Sequence, residues 1–225
     1  GKTNQEKESV PFVVGEETSH FPLTKNPAVT PAVEKRLAKL AELEKAGALN
    51  KEAAAEGRTL LTRMPKLKAY QNLRKQYEAL TDGAATAEQF AAEAAKIKAS
   101  LKLSADDADN FAQTVLKGVD LLSRRYVKVI TSGELAAGAI KGMYDRLDEK
   151  LPAELATELK TPKELTRARQ AQLLRDARER LGKREDLDDN QDADTALLMM
   201  IASLNDPYTT YYDRKTLLKM ESQLK

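Results

Sequence analysis

Few residues in this chain belong to the types that carry covalent or metal chemistry, and those few are scattered. His20 is the only histidine. It lies among prolines with no second ligand or paired base near it in sequence, which reads as a solvated side chain rather than a ligand or a general base. There is no cysteine, which excludes disulfides and thiolate metal sites. A catalytic site needs a nucleophile with its base, or a set of metal ligands, in one pocket. The chain contains no Gly-x-Ser-x-Gly elbow, no His-Glu-x-x-His pair and no glycine-rich phosphate loop. Glu185-Asp186-Leu187-Asp188-Asp189-Asn190-Gln191-Asp192 has the alternating acids of a calcium loop, but lacks the central glycine and the closing glutamate. It reads as a charged connector whose acids also start the next helix. Arg167, Arg169, Arg175, Arg178 and Arg180 are spaced as phosphate contacts would be, but Asp176 and Glu179 are interleaved, which favours a solvated helix face. The expectation is no catalytic residue, no metal and no cofactor. With 37 basic and 35 acidic residues, net charge +2, nothing points to nucleic acid.

Two constellations have spacing that asks for a specific structural role. The first is Leu204-Asn205-Asp206-Pro207-Tyr208-Thr209-Thr210-Tyr211-Tyr212-Asp213. Pro207 lacks an N–H and disfavours the helical region at Asp206, so the preceding helix should end near Asn205. Tyr208, Tyr211 and Tyr212 must then pack their rings and find partners for their hydroxyls. Local physics alone reads this as a helix C-terminus with an aromatic plug. The second is Gly138 and Gly142, four apart inside a helical pattern. Glycine there lowers helix stability, so the pair is expected to mark a close helix crossing. A membrane dimer is implausible, because Lys141, Asp145 and Arg146 flank the glycines.

The Leu-x-Asp-Pro-Tyr-Thr-x-Tyr pattern at 204–211 resembles a segment of the carboxyl-terminal processing (tail-specific) serine peptidases. In that family the segment lies between an N-terminal helical region and a PDZ domain. Its upstream partner is a helix ending in Tyr-Val, then a short loop, then a Gly-Ala-Ile-x-Gly-Met helix. Here Tyr126-Val127, Ser132-Gly133-Glu134-Leu135 and Gly138-Ala139-Ile140-Lys141-Gly142-Met143 follow in that order. The resemblance covers about 111–147 and 192–213, and breaks at 148–191, where a long charged insertion intervenes. It implies a non-catalytic scaffold or dimerisation region of a peptidase that cuts exported proteins near their C-termini. The partners it implies are the PDZ and protease domains of the same longer chain, a protein substrate and a homodimer, at an extracytoplasmic or periplasmic location. The family's serine and lysine belong to a later domain, so no catalytic residue carries over. Asp206, Pro207, Tyr208, Thr209 and Tyr211 would form a structural junction. The rival is a free-standing helical protein–protein interaction module.

The elements that must position these residues are helices. Ala, Leu, Lys and Glu dominate, and only 5% of residues are aromatic, so the core must be built from leucine and alanine. The expected architecture is an all-α, irregular bundle of about eight helices behind a flexible leader at 1–29. A first helical subdomain should cover 30–103, and a second 104–225. In the leader, Val10-Pro11-Phe12-Val13-Val14 is positioned to dock on the helices or form an edge strand. Thr30-Pro31 starts the first helix, with Val33, Leu37 and Leu40 inward and Gly47 as its stop. Asn50 caps a second, weakened by Gly57 by about 1 kcal/mol. Pro65 is expected to start a third, with Leu67, Tyr70, Leu73, Tyr77 and Leu80 on one face. Thr86 to Gln89 forms a capping box for a fourth, Ser104 opens the fifth and longest, to about Val129, and Thr131 with Glu134 boxes a sixth. Thr161-Pro162-Lys163-Glu164 predicts a helix start running to Leu181, with Leu165, Ala168, Leu173, Ala177 and Leu181 as its seam. Residues 193–204, apolar on all sides, belong at the centre of the bundle or against a partner domain. Asp213 caps a last helix with Leu217, Leu218, Met220 and Leu224.

No run of 18 apolar residues is present, and no signal peptide is visible. Gly1 in place of Met suggests a processed start. Lys225, in mid-pattern, suggests a longer parent chain.

Overall fold

A computed structural model describes residues 30–223. His20, the Val10–Val14 patch and Leu224 lie outside them. The fold is all-α, as expected: the described residues form ten α-helices, one 3₁₀ turn and no β-strand. In order these are α1 (Pro31–Lys45), α2 (Lys51–Thr62), α3 (Lys68–Thr81), α4 (Ala87–Ser100), α5 (Ala105–Arg125) and α6 (Ser132–Leu147), followed by α7 (Ala153–Glu158), the 3₁₀ turn Pro162–Glu164, α8 (Arg167–Leu181), α9 (Gln191–Ala202) and α10 (Arg214–Gln223).

Helix starts follow side-chain chemistry. Thr30, Asn50, Thr86, Ser104, Thr131 and Thr166 each accept a backbone N–H from the first turn. Such a cap contributes about 1 kcal/mol. Thr86 with Gln89 and Thr131 with Glu134 close both arms of a capping box. The third helix begins at Lys68, not Pro65, and its N-cap Leu67 supplies no side-chain acceptor. Gln71 instead reaches back and donates to the Pro65 carbonyl at 3.0 Å.

Two hydrophobic cores form. The first gathers Leu40, Leu60, Leu61, Leu73, Tyr77, Leu80 and Phe90 from α1–α4. Tyr77 is its largest member, its ring 4.6 Å from that of Phe90. Its hydroxyl donates to the Ala53 carbonyl and to Glu56, each at 2.8 Å. The second joins α5, α6, α7, α8 and α9. Its centre is α6, where Leu135, Ala136, Ala137, Ala139, Ile140, Met143 and Tyr144 are all buried. α5, the longest described helix at 21 residues, ends at Arg125 rather than near Val129. Tyr126 leaves helical geometry there, at φ −71° and ψ 141°.

Two expectations in the insertion are corrected. Thr161 opens only the 3₁₀ turn, and α8 begins after Thr166. Leu165 is extended, so the helix cannot run through it. Contacts with α6 hold that break. The Pro162 carbonyl sits where a side chain on Gly133 would be, and Gln170 Nε2 donates to Leu165 O and to Ser132 Oγ, at 2.8 and 2.9 Å. The buried face is therefore Gln170, Leu173, Leu174, Ala177 and Arg178, while Ala168 is exposed. Nor is the arginine face of α8 simply solvated. Arg167 and Arg175 pair with Asp120 and Asp109 of α5, Arg169 and Arg180 with Glu158 and Glu154 of α7, and Arg178 with Asp192 of α9. The helix is stapled to three neighbours through its guanidinium groups.

Candidate functional site

The Asp206 segment is built at the end of α9. Asn205 turns left-handed, at φ +50°, and stops the helix within three residues of Ala202. Asp206 then organises a tight turn. One carboxylate oxygen accepts the Tyr208 N–H at 3.2 Å and the other accepts the Thr209 hydroxyl at 2.7 Å. These bonds favour the ionised form and hold the carboxyl below its ordinary range. Tyr211 folds back along α9, and its hydroxyl donates to Asp194 at 2.5 Å. Burial and the Asp194 charge raise its pKa. Asp213 caps α10 by accepting the Thr216 N–H at 2.6 Å.

Tyr126 faces this turn from the far end of α5. Its hydroxyl is enclosed, and Asp206 is the polar group that faces it. It lies close enough to Asp206 for the two groups to interact electrically: burial first, then the Asp206 carboxylate, raises its pKa. Two motifs distant in sequence, the Tyr-Val helix end and the Asp-Pro turn, are thus neighbours.

α9 is seated on glycines. A side-chain carbon at Gly138 would lie 2.3 Å from Ser203 Oγ, and one at Gly142 would lie 2.6 Å from Met199 Cβ. Gly118 of α5 completes the seat, facing Leu197 at 2.3 Å. Gly118 was not singled out by sequence, because it stands alone in its helix. With that seat, α9 buries only Ala193, Ala196 and Met200 fully, and of the two places open to its apolar run the centre of the second core goes to α6. Leu198 is 43% exposed, and Ile201 is half-buried. Of the three tyrosines, only Tyr211 packs; Tyr208 is 94% exposed and Tyr212 46%. α10 presents Leu217, Leu218 and Met220 to solvent and packs extensively on no described helix.

The chemistry of the site is therefore positional. Among the described residues no group of three or more acidic, histidine or cysteine side chains could hold a metal. The acidic stretch is divided between partners: Asp186 pairs with Arg184, and Asp192 with Arg178. Among the described residues no serine hydroxyl is hydrogen-bonded to a lysine amine. No described helix is long and apolar enough to cross a membrane. Comparison with protein-family models, with curated proteins and with solved structures found no match.

Proposed function

We propose that this chain is a non-catalytic helical region of a carboxyl-terminal processing serine peptidase, holding the PDZ and protease domains of the same longer chain. The observation that carries the reading is the approach of Tyr126 to Asp206. The two segments that resemble the family, each modest alone, meet at one point of the fold, as parts of one junction would. The exposure of Tyr208, Tyr212 and the apolar side of α10 supports it, because a following domain would cover such a surface. In this reading the whole enzyme cuts exported proteins near their C-termini, outside the cytoplasm, and the helical region contributes to a homodimer. The insertion at 148–191 is a feature of this chain rather than of the junction.

The test is a peptidase assay on this chain and on the same gene carried to its natural end. Cleavage of an unstructured C-terminal tail by the longer protein alone is the expected result. Loss of that cleavage on Asp206→Ala, with the helical content kept, ties it to the junction. If neither protein cleaves and the short chain is stable and monodisperse, the reading falls and a helical protein–protein interaction module replaces it.

A further inference from the structure

α5 carries a second stripe opposite the one it buries. Its core side is Phe111, Ala112, Val115, Leu116 and Val119. Lys117, Leu121, Arg124 and Arg125 stand at i, i+4, i+7 and i+8 on the other side of the helix, all exposed. With Asp120 they line a shallow surface hollow. The loop that follows continues the same chemistry. Val127 is 88% exposed and Val129 104%, with exposed Lys128 between them, and Leu121 is 61% exposed. This loop is anchored at both ends: the Tyr126 hydroxyl is enclosed, and Ile130 packs against the second core. Val127–Val129 is therefore a held tip whose apolar side chains point into water.

The charge of this surface is one-sided, although the whole chain carries only +2. From Gln113 to Ile130 the single acid is Asp120, and it pairs with Arg167 of α8 at 2.6 Å. Lys117, Arg124, Arg125 and Lys128 make no ion pair among the described residues; Arg124 donates to the Asp120 carbonyl at 3.0 Å. Arg124 and Arg125 suit the negative end of a helix, but that role gives no reason to hold Leu121 and two valines in water.

We propose that the C-terminal end of α5 and the 127–129 tip dock on an anionic lipid surface. The four cations meet the headgroup phosphates, and Leu121, Val127 and Val129 enter the acyl boundary. Such a surface presents both chemistries along one direction, charge outside and hydrocarbon beneath. A second copy of this chain would set cations against cations. A nucleic acid offers phosphate but nothing apolar to the valines. The contact is peripheral, since no described helix is long and apolar enough to cross a bilayer. It does not rest on the peptidase reading.

The test is sedimentation of the full chain with vesicles of phosphatidylcholine, alone or mixed with phosphatidylglycerol. The parent should bind the mixed vesicles, leave them as salt rises, and ignore the neutral ones. Arg124→Gln with Arg125→Gln and Lys128→Gln should weaken partitioning by about a hundredfold. Val127→Ser with Val129→Ser keeps every charge and should weaken it by about tenfold. All these positions are exposed, so helical circular dichroism should not change. No binding to mixed vesicles, or equal binding to neutral ones, overturns the proposal. A valine variant that binds as the parent does also overturns it; if that variant captures soluble polyglutamate, the cations serve an acidic protein instead. The same gene carried to its natural end should bind equally. If it does not, a following domain covers the tip and the proposal falls, while the cleavage assay reads the peptidase function separately.

Discussion

A side-chain carbon built on Gly142 would sit 2.6 Å from Met199 Cβ, closer than such atoms approach in folded proteins. The obstacle is the root of a side chain, so α9 itself must move to relieve it. Gly142→Ala gains about 1 kcal/mol in helix propensity and loses about 1–3 kcal/mol to overpacking. The expected net effect is a loss. Gly133→Ala is worse, because the added carbon meets the Pro162 carbonyl at 1.8 Å. Gly118→Ala should be near neutral, since Leu197 Cδ2 is the end of a side chain that can turn away. Urea unfolding of the three variants should rank them Gly133, Gly142, Gly118 from most to least destabilised. An equal effect at all three would remove the argument for a glycine-lined seat.

The arginines of α8 divide by burial. Arg178 is 3% exposed and donates to Asp192 at 2.7 Å and to the Gly182 carbonyl at 2.6 Å. Removing it strands a half-buried carboxylate and a helix-end carbonyl. Arg178→Met should cost about 3 kcal/mol or more. Arg180 pairs with Glu154 near the surface, both well exposed. Arg180→Met should fall within about 1 kcal/mol of the parent. Thermal unfolding distinguishes them directly. If the two shifts match, the stapling of α8 to α9 through Arg178 is not a source of stability.

Gly57 lies under the ring of Tyr77, where an added carbon would meet ring atoms at 2.7 Å. The helix weakening read from sequence is therefore the condition for burying the largest side chain of the first core. Tyr77→Phe keeps the ring and removes the two hydrogen bonds to Ala53 and Glu56. Glu56 retains Lys98 at 2.9 Å, so no charge is stranded. The expected loss is about 1 kcal/mol. Gly57→Ala should exceed it, because a rigid ring cannot rotate out of a packed site. A larger effect from Tyr77→Phe in denaturant titrations would put the hydroxyl, not the packing, in control.

What was legible in the sequence was local. Thr30, Asn50, Thr86, Ser104 and Thr131 announce their helices because a cap joins residues three apart and needs nothing else. Thr161 carries a stronger signal than Thr166 by the same rule, yet Thr166 caps α8. The deciding contacts, Pro162 over Gly133 and Gln170 to Ser132, join residues far apart in the chain. The burial of α9 is undecided by its own residues for a similar reason. Its composition is apolar all round, but how much is covered depends on what packs there, and the glycine seat accepts one narrow stripe. The partners of the α8 arginines were beyond pattern reading, since Asp109 and Asp120 lie a whole helical hairpin away.

The pH dependence should have two opposed parts. Glu134 accepts the Thr131 N–H at 2.9 Å and the Thr131 hydroxyl at 2.8 Å, which holds its carboxyl below the usual 4.5. A depressed carboxyl contributes stability that is fully present above the unfolded value and lost as pH falls through the folded one. Glu149 runs the other way. Burial outweighs Arg184 and raises its pKa, so the folded state binds its proton more tightly. That contribution declines as pH rises from 4.5 towards the raised value. Urea midpoints taken across about pH 3 to 6 separate them by substitution. Glu134→Gln, which can still accept from Thr131, should flatten the acid-side fall. Glu149→Gln should remove the opposing slope and steepen it. If Glu149→Gln flattens the curve instead, the attraction of Arg184 outweighs burial at Glu149.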